Sequence, residues 1–426
     1  MLKLSPEQLA ESITSGDPGV YFCPLLFSHL YADNAGRWRL CCRAAPFEEG
    51  YTVGNIPPQE HWTHPRMQQI RREMLTGNLD LTRKHCQKCL APEAAGRTSP
   101  RELLNRKLLA RGKPADIPVL RDASRASAGG NYQLTERCLE LKLRVFGNYC
   151  NLACYMCAPV NSTTRLKELR QIRDGYWLRE MTVPDRPDFF ESETDYQQFI
   201  EGVLKLLPHV KKIKITGGEP FLLRRHHEFL QRVVQTPHAR EIRLSYDTNM
   251  TKFQLGSSNV LEYLKHFHGV TLSVSVDGLG ERNDYIRYGA HFDEVIQSIE
   301  VARRYPNIKV DVSCATGVLN AGDIHPVAAF FDQRGIQAKF NMCVITKPVF
   351  AQARHLPDPL KEACLTRIEQ SPFRSRFLNV AHMLREPRDE SQFQTFLRYA
   401  ADLDALRGTS LFKLWPEFKP YANSGA

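Results

Sequence analysis

Residues 139–157 read LELKLRVFGNYCNLACYMC, an alternating stretch followed by three closely spaced cysteines. Over residues 139–145, Leu or Val occupies every second position, and Glu, Lys and Arg stand between them. This period of two predicts a β-strand with one apolar and one polar face. Because Cys150, Cys154 and Cys157 follow directly, the stretch predicts a strand with a cysteine-rich loop at its carboxyl end.

The same strand pattern recurs along the chain, with helical stretches in between. Further strands are predicted at 211–216, 241–247, 270–276, 307–314 and 336–345, and helices near 199–206, 223–235, 259–267, 292–304 and 322–334. Such alternation predicts right-handed crossovers and a parallel sheet, hence an α/β fold. Six strands are fewer than the eight of a closed barrel, so we expect a partial (β/α)6 barrel over residues 136–345. Its chemistry should lie where the carboxyl ends of the strands meet the following loops.

The regions on either side of the predicted barrel differ in composition. Residues 21–95 carry five cysteines among aromatic and turn-forming residues and are predicted to form a separate cysteine-rich domain. Residues 96–135 end in a small, polar, glycine-containing stretch, which predicts a linker. Residues 346–426 are predicted to form a helical carboxyl-terminal extension. At about 150 residues per domain, 426 residues agree with this division.

Charge and hydropathy narrow the class of protein. The formal net charge is +10, but the basic residues are spread along the chain. Local groups such as Arg165, Lys167, Arg170 and Arg173 are therefore predicted to be solvated faces rather than a nucleic-acid groove. No stretch has the roughly 18 apolar residues of a membrane span, and no secretory signal precedes the first polar residues. We expect a cytoplasmic protein, in which 12 cysteines indicate metal binding or catalysis rather than disulfides.

The three-cysteine loop is the strongest chemical signal. Thiolates at Cys150, Cys154 and Cys157 could hold three irons of a 4Fe–4S cluster, and the fourth iron would stay open because a fully protein-bound cluster takes four cysteines. Two alternatives remain. The spacing also matches one face of a helix, so the cysteines could be buried core residues. A structural zinc site is the other, but it needs four ligands, and no Cys or His follows until His209.

The C-x3-C-x2-C loop after a first strand resembles the signature of the radical S-adenosylmethionine (SAM) enzymes. The resemblance implies that SAM chelates the open iron through its amino and carboxylate groups. One electron from the cluster then cleaves SAM reductively to methionine and a 5′-deoxyadenosyl radical, which abstracts a substrate hydrogen. The family often has an aromatic residue before the third cysteine, where this sequence has Met156. A methionine is apolar and adaptable enough to cover an adenine ring.

Further motifs at the predicted strand ends resemble the SAM-binding positions of the family. The tetrapeptide GGEP at 217–220 ends the second strand; its glycines would let a ligand approach the backbone, and Glu219 would bind the SAM ammonium group. Arg287 could form a fork with the methionyl carboxylate. The SAM-binding residues that the resemblance implies are Met156, Gly217, Gly218, Glu219, Pro220, Thr248, Asn249, Ser273, Ser275, Asp277, Arg287 and Asn320.

The amino-terminal cysteines resemble those of twitch and SPASM domains, which hold auxiliary 4Fe–4S clusters. Cys86 and Cys89 form a C-x2-C knuckle, and Cys23 and Cys42 are expected to complete the ligand set. In these domains the ligand lies at a set distance beyond a turn glycine, and the resemblance therefore favours Cys42 over Cys41. Because neighbouring residues on a strand point in opposite directions, only one of the two is expected to bind. These domains usually follow the barrel, whereas this one precedes it. A zinc ribbon with the same four ligands is the alternative.

The twitch and SPASM resemblance implies an enzyme that modifies a peptide or protein by crosslinking, thioether formation or epimerisation. It implies an electron donor of the flavodoxin or ferredoxin type, and a separate partner could deliver the peptide. Three alternatives stay open. The substrate could be a small molecule, or it could be RNA or a nucleotide, which the charge of +10 permits. The chain could also be a non-catalytic iron–sulfur redox or scaffold protein.

Overall fold

The computed structural model describes residues 4–17, 19–127, 132–183, 189–340 and 344–422. Its centre is an eight-stranded sheet with the order β10-β9-β8-β5-β4-β3-β1-β2, in which every neighbouring pair is parallel except β1 and β2. The strands are β1 His29–Ala32, β2 Trp38–Arg39, β3 Leu139–Leu143, β4 Val210–Ile215, β5 Arg243–Thr248, β8 Gly269–Ser275, β9 Ile308–Ser313 and β10 Ala338–Lys339, and a separate hairpin consists of β6 Gln254–Leu255 and β7 Ser258–Asn259.

All six predicted barrel strands are present as β3, β4, β5, β8, β9 and β10. The strand predicted over 336–345 lies partly outside the described residues, because 341–343 are not among them. Alternation sets the two faces of the sheet: Leu139, Leu141 and Leu143 of β3 are buried, while Glu140 and Lys142 between them are only half-buried. The polar face is therefore the more accessible one.

Helices alternate with the strands and cover the apolar face. Before the barrel lie α1 Pro6–Ser15, α2 Leu25–Ser28, α3 Pro58–Thr63, α4 Pro65–Thr76, α5 Asp80–Ala94, α6 Pro100–Leu109 and α7 Pro118–Ser127. Within it lie α8 Thr163–Gln171, α9 Glu193–Leu206, α10 Arg224–Val234, α11 Val260–Leu264, α12 Glu281–Ile286, α13 Phe292–Ala302 and α14 Ile324–Asp332. Helix α9 begins with a capping box, in which Ser192 and Asp195 satisfy each other's backbone N–H groups. The partial α/β barrel is thus confirmed.

Most of the described part of residues 96–135, predicted to be a linker, is helical and packed, and residues 128–131 of its glycine-containing stretch lie outside the described residues. Helix α6 begins at a capping box formed by Ser99 and Glu102. Helix α7 buries Leu120 and Ala123 against the amino-terminal helices. Its alanines and serines, which suggested a flexible segment, are small residues that let α7 pack closely against its neighbours.

The carboxyl-terminal extension is helical, as predicted, with α15 Asp358–Glu369, α16 Leu378–Arg385, α17 Glu390–Arg407 and α18 Leu411–Leu414. Helix α17 ends at Gly408, whose left-handed conformation closes the last turn. It also reaches the cysteine loop, since the Tyr399 hydroxyl donates a hydrogen bond to the Tyr155 carbonyl at 2.7 Å. Within the described ranges, no helix combines the length and apolarity that crossing a bilayer requires.

Candidate active site

The three cysteines of the loop after β3 lie in one small cluster, separate from the main core. Cys154 is buried with Leu152 and Ala290, and Cys150 and Cys157 pack against them. Among the described residues, no group of three or more His, Cys, Asp or Glu side chains converges on a single metal ion.

Backbone contacts on both sides hold the loop in place. The Glu219 N–H donates to the Tyr149 carbonyl at 2.7 Å, and the Ala153 N–H donates to the Tyr288 carbonyl at 2.9 Å. A Cβ atom at Gly218, where φ is +56°, would overlap the Tyr149 carbonyl oxygen. The absence of a side chain at Gly218 thus lets the backbone of the cysteine loop approach, and its role in admitting a ligand stays a prediction.

A buried charge network supports the loop from behind. Arg407 of α17 donates to the Glu168 carboxylate at 2.7 Å and to the Ala153 carbonyl. Arg165 pairs with the same carboxylate and donates to the Tyr155 carbonyl at 3.1 Å. The prediction of a solvated face for Arg165 is therefore wrong, since its side chain is fully buried. Sequence reasoning missed this network because nothing local distinguishes a buried arginine from an exposed one.

Glu219 organises the end of the neighbouring strand β5. Its carboxylate accepts hydrogen bonds from the Thr248 hydroxyl at 2.7 Å, the Asn249 N–H at 2.7 Å and the Phe221 N–H at 3.2 Å. Burial raises the pKa of Glu219 to about 7, although these donors act in the opposite direction. The pKa of Glu219 therefore lies close to neutral pH.

Two predicted residues reach the cysteine sulfurs directly. The Asn249 side-chain amide donates to Cys150 Sγ at 3.6 Å, and Arg287 Nη1 donates to Cys154 Sγ at 3.8 Å. Arg287 also forms a 2.8 Å ion pair with Asp277, which is fully buried. This ion pair is therefore buried rather than on the surface. Sulfur acceptors with cationic and amide donors around them suit thiolates rather than thiols.

The other predicted residues divide into two groups. Asn320 lies beside the Arg287 pair, because its amide donates to the Asp277 carbonyl at 2.8 Å, and Met156 packs against the cysteine cluster. Ser273, in contrast, donates to Asp311 at 2.7 Å on the polar face of the sheet, and Ser275 lies on the same face. A direct role for these residues in SAM binding stays a prediction.

The cysteine environment fits an iron–sulfur cluster. Burial, followed by the nearby charge of Cys154, raises the pKa of Cys157 to about 12, and burial also raises the pKa of Cys150 and Cys154. Buried thiols of this kind stay protonated unless a strong positive charge is close, and a metal centre supplies one. Among the described residues this loop supplies three thiols, and such a set would leave one iron of a 4Fe–4S cluster without a protein ligand.

The comparisons with known proteins agree with this geometry. Residues 145–330 match the sequence profile of the Radical SAM superfamily. This stretch is a radical SAM domain. It contains the cysteine loop, the GGEP motif and Arg287, and it belongs to a superfamily of enzymes.

Solved structures with weaker similarity were also found. Native anSMEcpe with bound AdoMet has a TM-score of 0.38 and 16% identity, over 57% of this chain and 62% of that chain. SuiB of Streptococcus suis bound to S-adenosylmethionine has a TM-score of 0.35 and 16% identity, over 60% and 51%. SuiB bound to the precursor peptide SuiA has a TM-score of 0.34 and 15% identity, over 72% and 57%. The matched region spans less than two thirds of each of these proteins.

Outside the radical SAM domain, the amino-terminal cysteines surround a cavity of about 380 Å³. Burial, followed by the neighbouring Cys41 and Cys89, raises the pKa of Cys23 to about 12. The pKa of Cys86 is raised first by burial and then by Cys23, Cys41 and Cys89. Cys23, Cys41, Cys86 and Cys89 are therefore mutual neighbours.

Cys42, which sequence analysis preferred to Cys41 as a ligand, also lines this cavity. It is exposed, whereas Cys41 is partly buried against the core. Its charge influences Lys142 and Tyr31 on the polar face of the sheet rather than Cys23 or Cys86. The charge of Cys41 acts on both Cys23 and Cys86, so the structure favours Cys41, and the choice between the two ligands stays a prediction.

Proposed function

We propose that the protein is a radical SAM enzyme whose cluster is held by Cys150, Cys154 and Cys157. The grouping of these three cysteines at the carboxyl end of β3, inside the radical SAM domain, carries this proposal. When bound, the cluster and SAM together supply reductive cleavage of SAM to a 5′-deoxyadenosyl radical that abstracts a substrate hydrogen. The chain's own part is to hold, orient and shield these groups.

The residues around the loop have distinct parts in this proposal. Asn249 and Arg287 donate hydrogen bonds to the cysteine sulfurs, which stabilises their thiolate form. Leu152 and Ala290 pack around Cys154 and exclude water from it. Glu219, Thr248 and the neighbouring predicted residues would position SAM, as the family resemblance implies.

The amino-terminal cavity is proposed to hold a second metal centre, bound by Cys23, Cys41, Cys86 and Cys89. The mutual proximity of these thiols supports a metal site, and the resemblance to twitch and SPASM domains favours an auxiliary 4Fe–4S cluster over zinc. Electrons would come from a flavodoxin or ferredoxin type donor. Metal analysis distinguishes the 4Fe–4S cluster from the zinc site, because a zinc ribbon would contain one equivalent of zinc per chain.

A peptide or protein is the proposed substrate class, and the resemblance of the amino-terminal cysteine region to twitch and SPASM domains supports it. Crosslinking, thioether formation and epimerisation are the corresponding reactions. A separate partner could deliver the peptide. A cytoplasmic location is part of the same proposal. Incubation of the enzyme with candidate precursor peptides in D2O tests the substrate class: mass spectrometry would show loss of two hydrogens for a crosslink or thioether, and uptake of one deuterium for epimerisation.

The activity itself is tested by anaerobic reconstitution with iron and sulfide, followed by dithionite and SAM. We expect 5′-deoxyadenosine from the natural chain and none from a Cys150→Ala variant. Cys364→Ala is the matched control, because Cys364 is a buried cysteine of α15 outside the site. A well-reconstituted natural protein that forms no 5′-deoxyadenosine would contradict the proposal and support the redox or scaffold alternative.

A further inference from the structure

The polar face of the sheet carries a row of basic residues next to the cysteine loop. Tyr31 of β1 pairs in register with Lys142 of β3, and Lys142 pairs with Lys214 of β4. Side chains at paired positions of parallel strands lie on the same face. Arg144, two residues beyond Lys142, extends the row toward the loop. Tyr31, Lys142, Arg144 and Lys214 are called the basic row below.

The basic row has more positive charge than its surroundings neutralise. Lys214 pairs with Asp247 of β5, with 2.9 Å between Nζ and Oδ1. The Lys142 ammonium lies 5.2 Å from the centre of the Tyr31 ring. Arg144 donates to the Asn161 side chain at 2.8 Å, but its buried Nε has no hydrogen-bond partner. Within the described part of the chain, no carboxylate lies within ion-pair distance of Lys142 or Arg144.

In the described part of the chain, the three cations of the basic row share one ion-pair partner, Asp247. The positions next to Lys214 in register are Ser245 on β5 and Thr271 on β8, which are neutral, and Asp311 of β9 is already paired with Lys339. Clustered, half-buried cations repel each other and lose hydration. An anion bound among them would offset both costs, and the unpartnered Arg144 Nε marks one place where it would be held.

The position of the basic row links it to both cysteine groups. The Arg144 charge acts on the Cys157 thiol of the loop. Lys142 lines the amino-terminal cavity together with Cys41 and Cys42. Asp247, the partner of Lys214, precedes Thr248 and Asn249, which contact Glu219 and Cys150. A group held by the basic row thus lies on the accessible face of the sheet, between the two proposed metal centres.

We propose that the basic row binds an anionic group of the substrate, a carboxylate or a phosphate, and so places the neighbouring carbon toward the cysteine loop. This inference rests on the proposed function, because it names a chemical feature of that enzyme's substrate. It excludes substrates without a negative charge near the reacting carbon. It also gives Lys142 and Lys214 a part in substrate selection rather than in binding the cluster.

The test is calorimetric titration of the anaerobically reconstituted protein, with SAM present, using inorganic phosphate and acetate as separate probes at constant ionic strength. The double variant Lys142→Met/Lys214→Met should weaken binding of the preferred anion by about tenfold or more, since it removes two charged hydrogen-bond donors. Lys167→Met/Lys252→Met is the matched control: both lysines are exposed and outside the basic row, and the change in net charge is the same.

The outcomes separate the possibilities. Loss of binding in the first double variant, with the control within about twofold of the natural protein, supports the proposal. The probe that binds more tightly then identifies a carboxylate or a phosphate. Equal binding by both double variants, or no binding of either probe to the natural protein, overturns it. Formation of 5′-deoxyadenosine by the same natural sample is measured separately, so failure of the proposed function would be recognised independently.

Discussion

The two cysteine groups of this protein are built in opposite ways. Cys150, Cys154 and Cys157 come from one short loop, whose backbone is clamped by Glu219 and Tyr288. The amino-terminal four come from three separate segments: the turn before α2, the end of the β1–β2 hairpin, and helix α5. When all the ligands of a site lie in one loop, their spacing in the sequence is enough to predict the site. A site assembled from distant segments depends on which way each side chain points in the folded chain.

The largest effect should come from removing either group as a whole. Two 4Fe–4S clusters contain about eight irons, so Cys150→Ala/Cys154→Ala/Cys157→Ala should lose about half of the iron, measured by colorimetric iron assay after reconstitution. Replacing Cys23, Cys86 and Cys89 with Ala should remove the other half and leave the loop cluster's absorption in place. If the loop variant kept all its iron, the loop would not hold a cluster; if it lost all its iron, the two groups would not be independent sites.

The next effect separates Cys41 from Cys42. Cys41→Ser should reduce the metal content of the amino-terminal site, because Cys41 is the neighbour of Cys23 and Cys86. Cys42→Ser is the matched control and should retain the metal, since its side chain is exposed. Metal analysis of the two variants decides the assignment; the reverse result would restore the preference based on the sequence.

A glycine substitution tests how firmly the cysteine loop is clamped. Gly218→Ala should destabilise the fold by about 3 kcal/mol, because it combines a left-handed backbone with overlap against Tyr149. Gly256→Ala has a similar φ of +60° but free space around its Cβ, so it should cost only about 1 kcal/mol. Chemical denaturation measures both. Equal losses would mean that the loop moves freely away from the GGEP motif.

The smallest effect concerns the hydrogen bond between Thr248 and Glu219. Thr248→Val should cost about 1–2 kcal/mol, and more at pH 8 than at pH 5, because the hydroxyl stabilises the ionised carboxylate. Burial raises the pKa of Glu219 to about 7, above its unfolded value, so its contribution to stability falls as the pH rises through 7.

Denaturation curves at both pH values provide the measurement for Thr248→Val. Thr14→Val is the control, since the Thr14 hydroxyl donates to the neutral Ala10 carbonyl and its removal should cost the same at either pH. A loss at Thr248 that does not change with pH would show that the carboxylate keeps one charge state over this range.

Sequence alone predicted the barrel well because its strands and helices have strong periodicity. The position of the cysteine loop followed from the alternation of residues 139–145, and the partners of Asn249 and Arg287 lie where strand ends meet. These features depend on local sequence pattern and on the rules for connecting parallel strands, which allow only a few sheet topologies. The local pattern therefore suffices to place the cysteine loop at the carboxyl end of the first barrel strand.

The features that sequence missed depend on long-range packing. Helix α7 looks like a linker because its small residues are suited both to flexible segments and to close helix contacts. Arg165 looks solvated from the sequence, because the carboxylate that it pairs with, Glu168, is covered by Arg407 only when the carboxyl-terminal helix packs there. The choice between Cys41 and Cys42 has the same origin, since the cavity they border is closed by α5 and α6.

The pairing of β1 with β3 affects how the chain is made. His29 finds its partner Glu140 only after more than a hundred further residues have left the ribosome. Until then, the strand from 29 to 32 presents unpaired amide and carbonyl groups, an edge that invites association with other nascent chains. A fragment that begins at the barrel would have the complementary defect, an uncovered edge on β3, so we expect such a fragment to aggregate during expression.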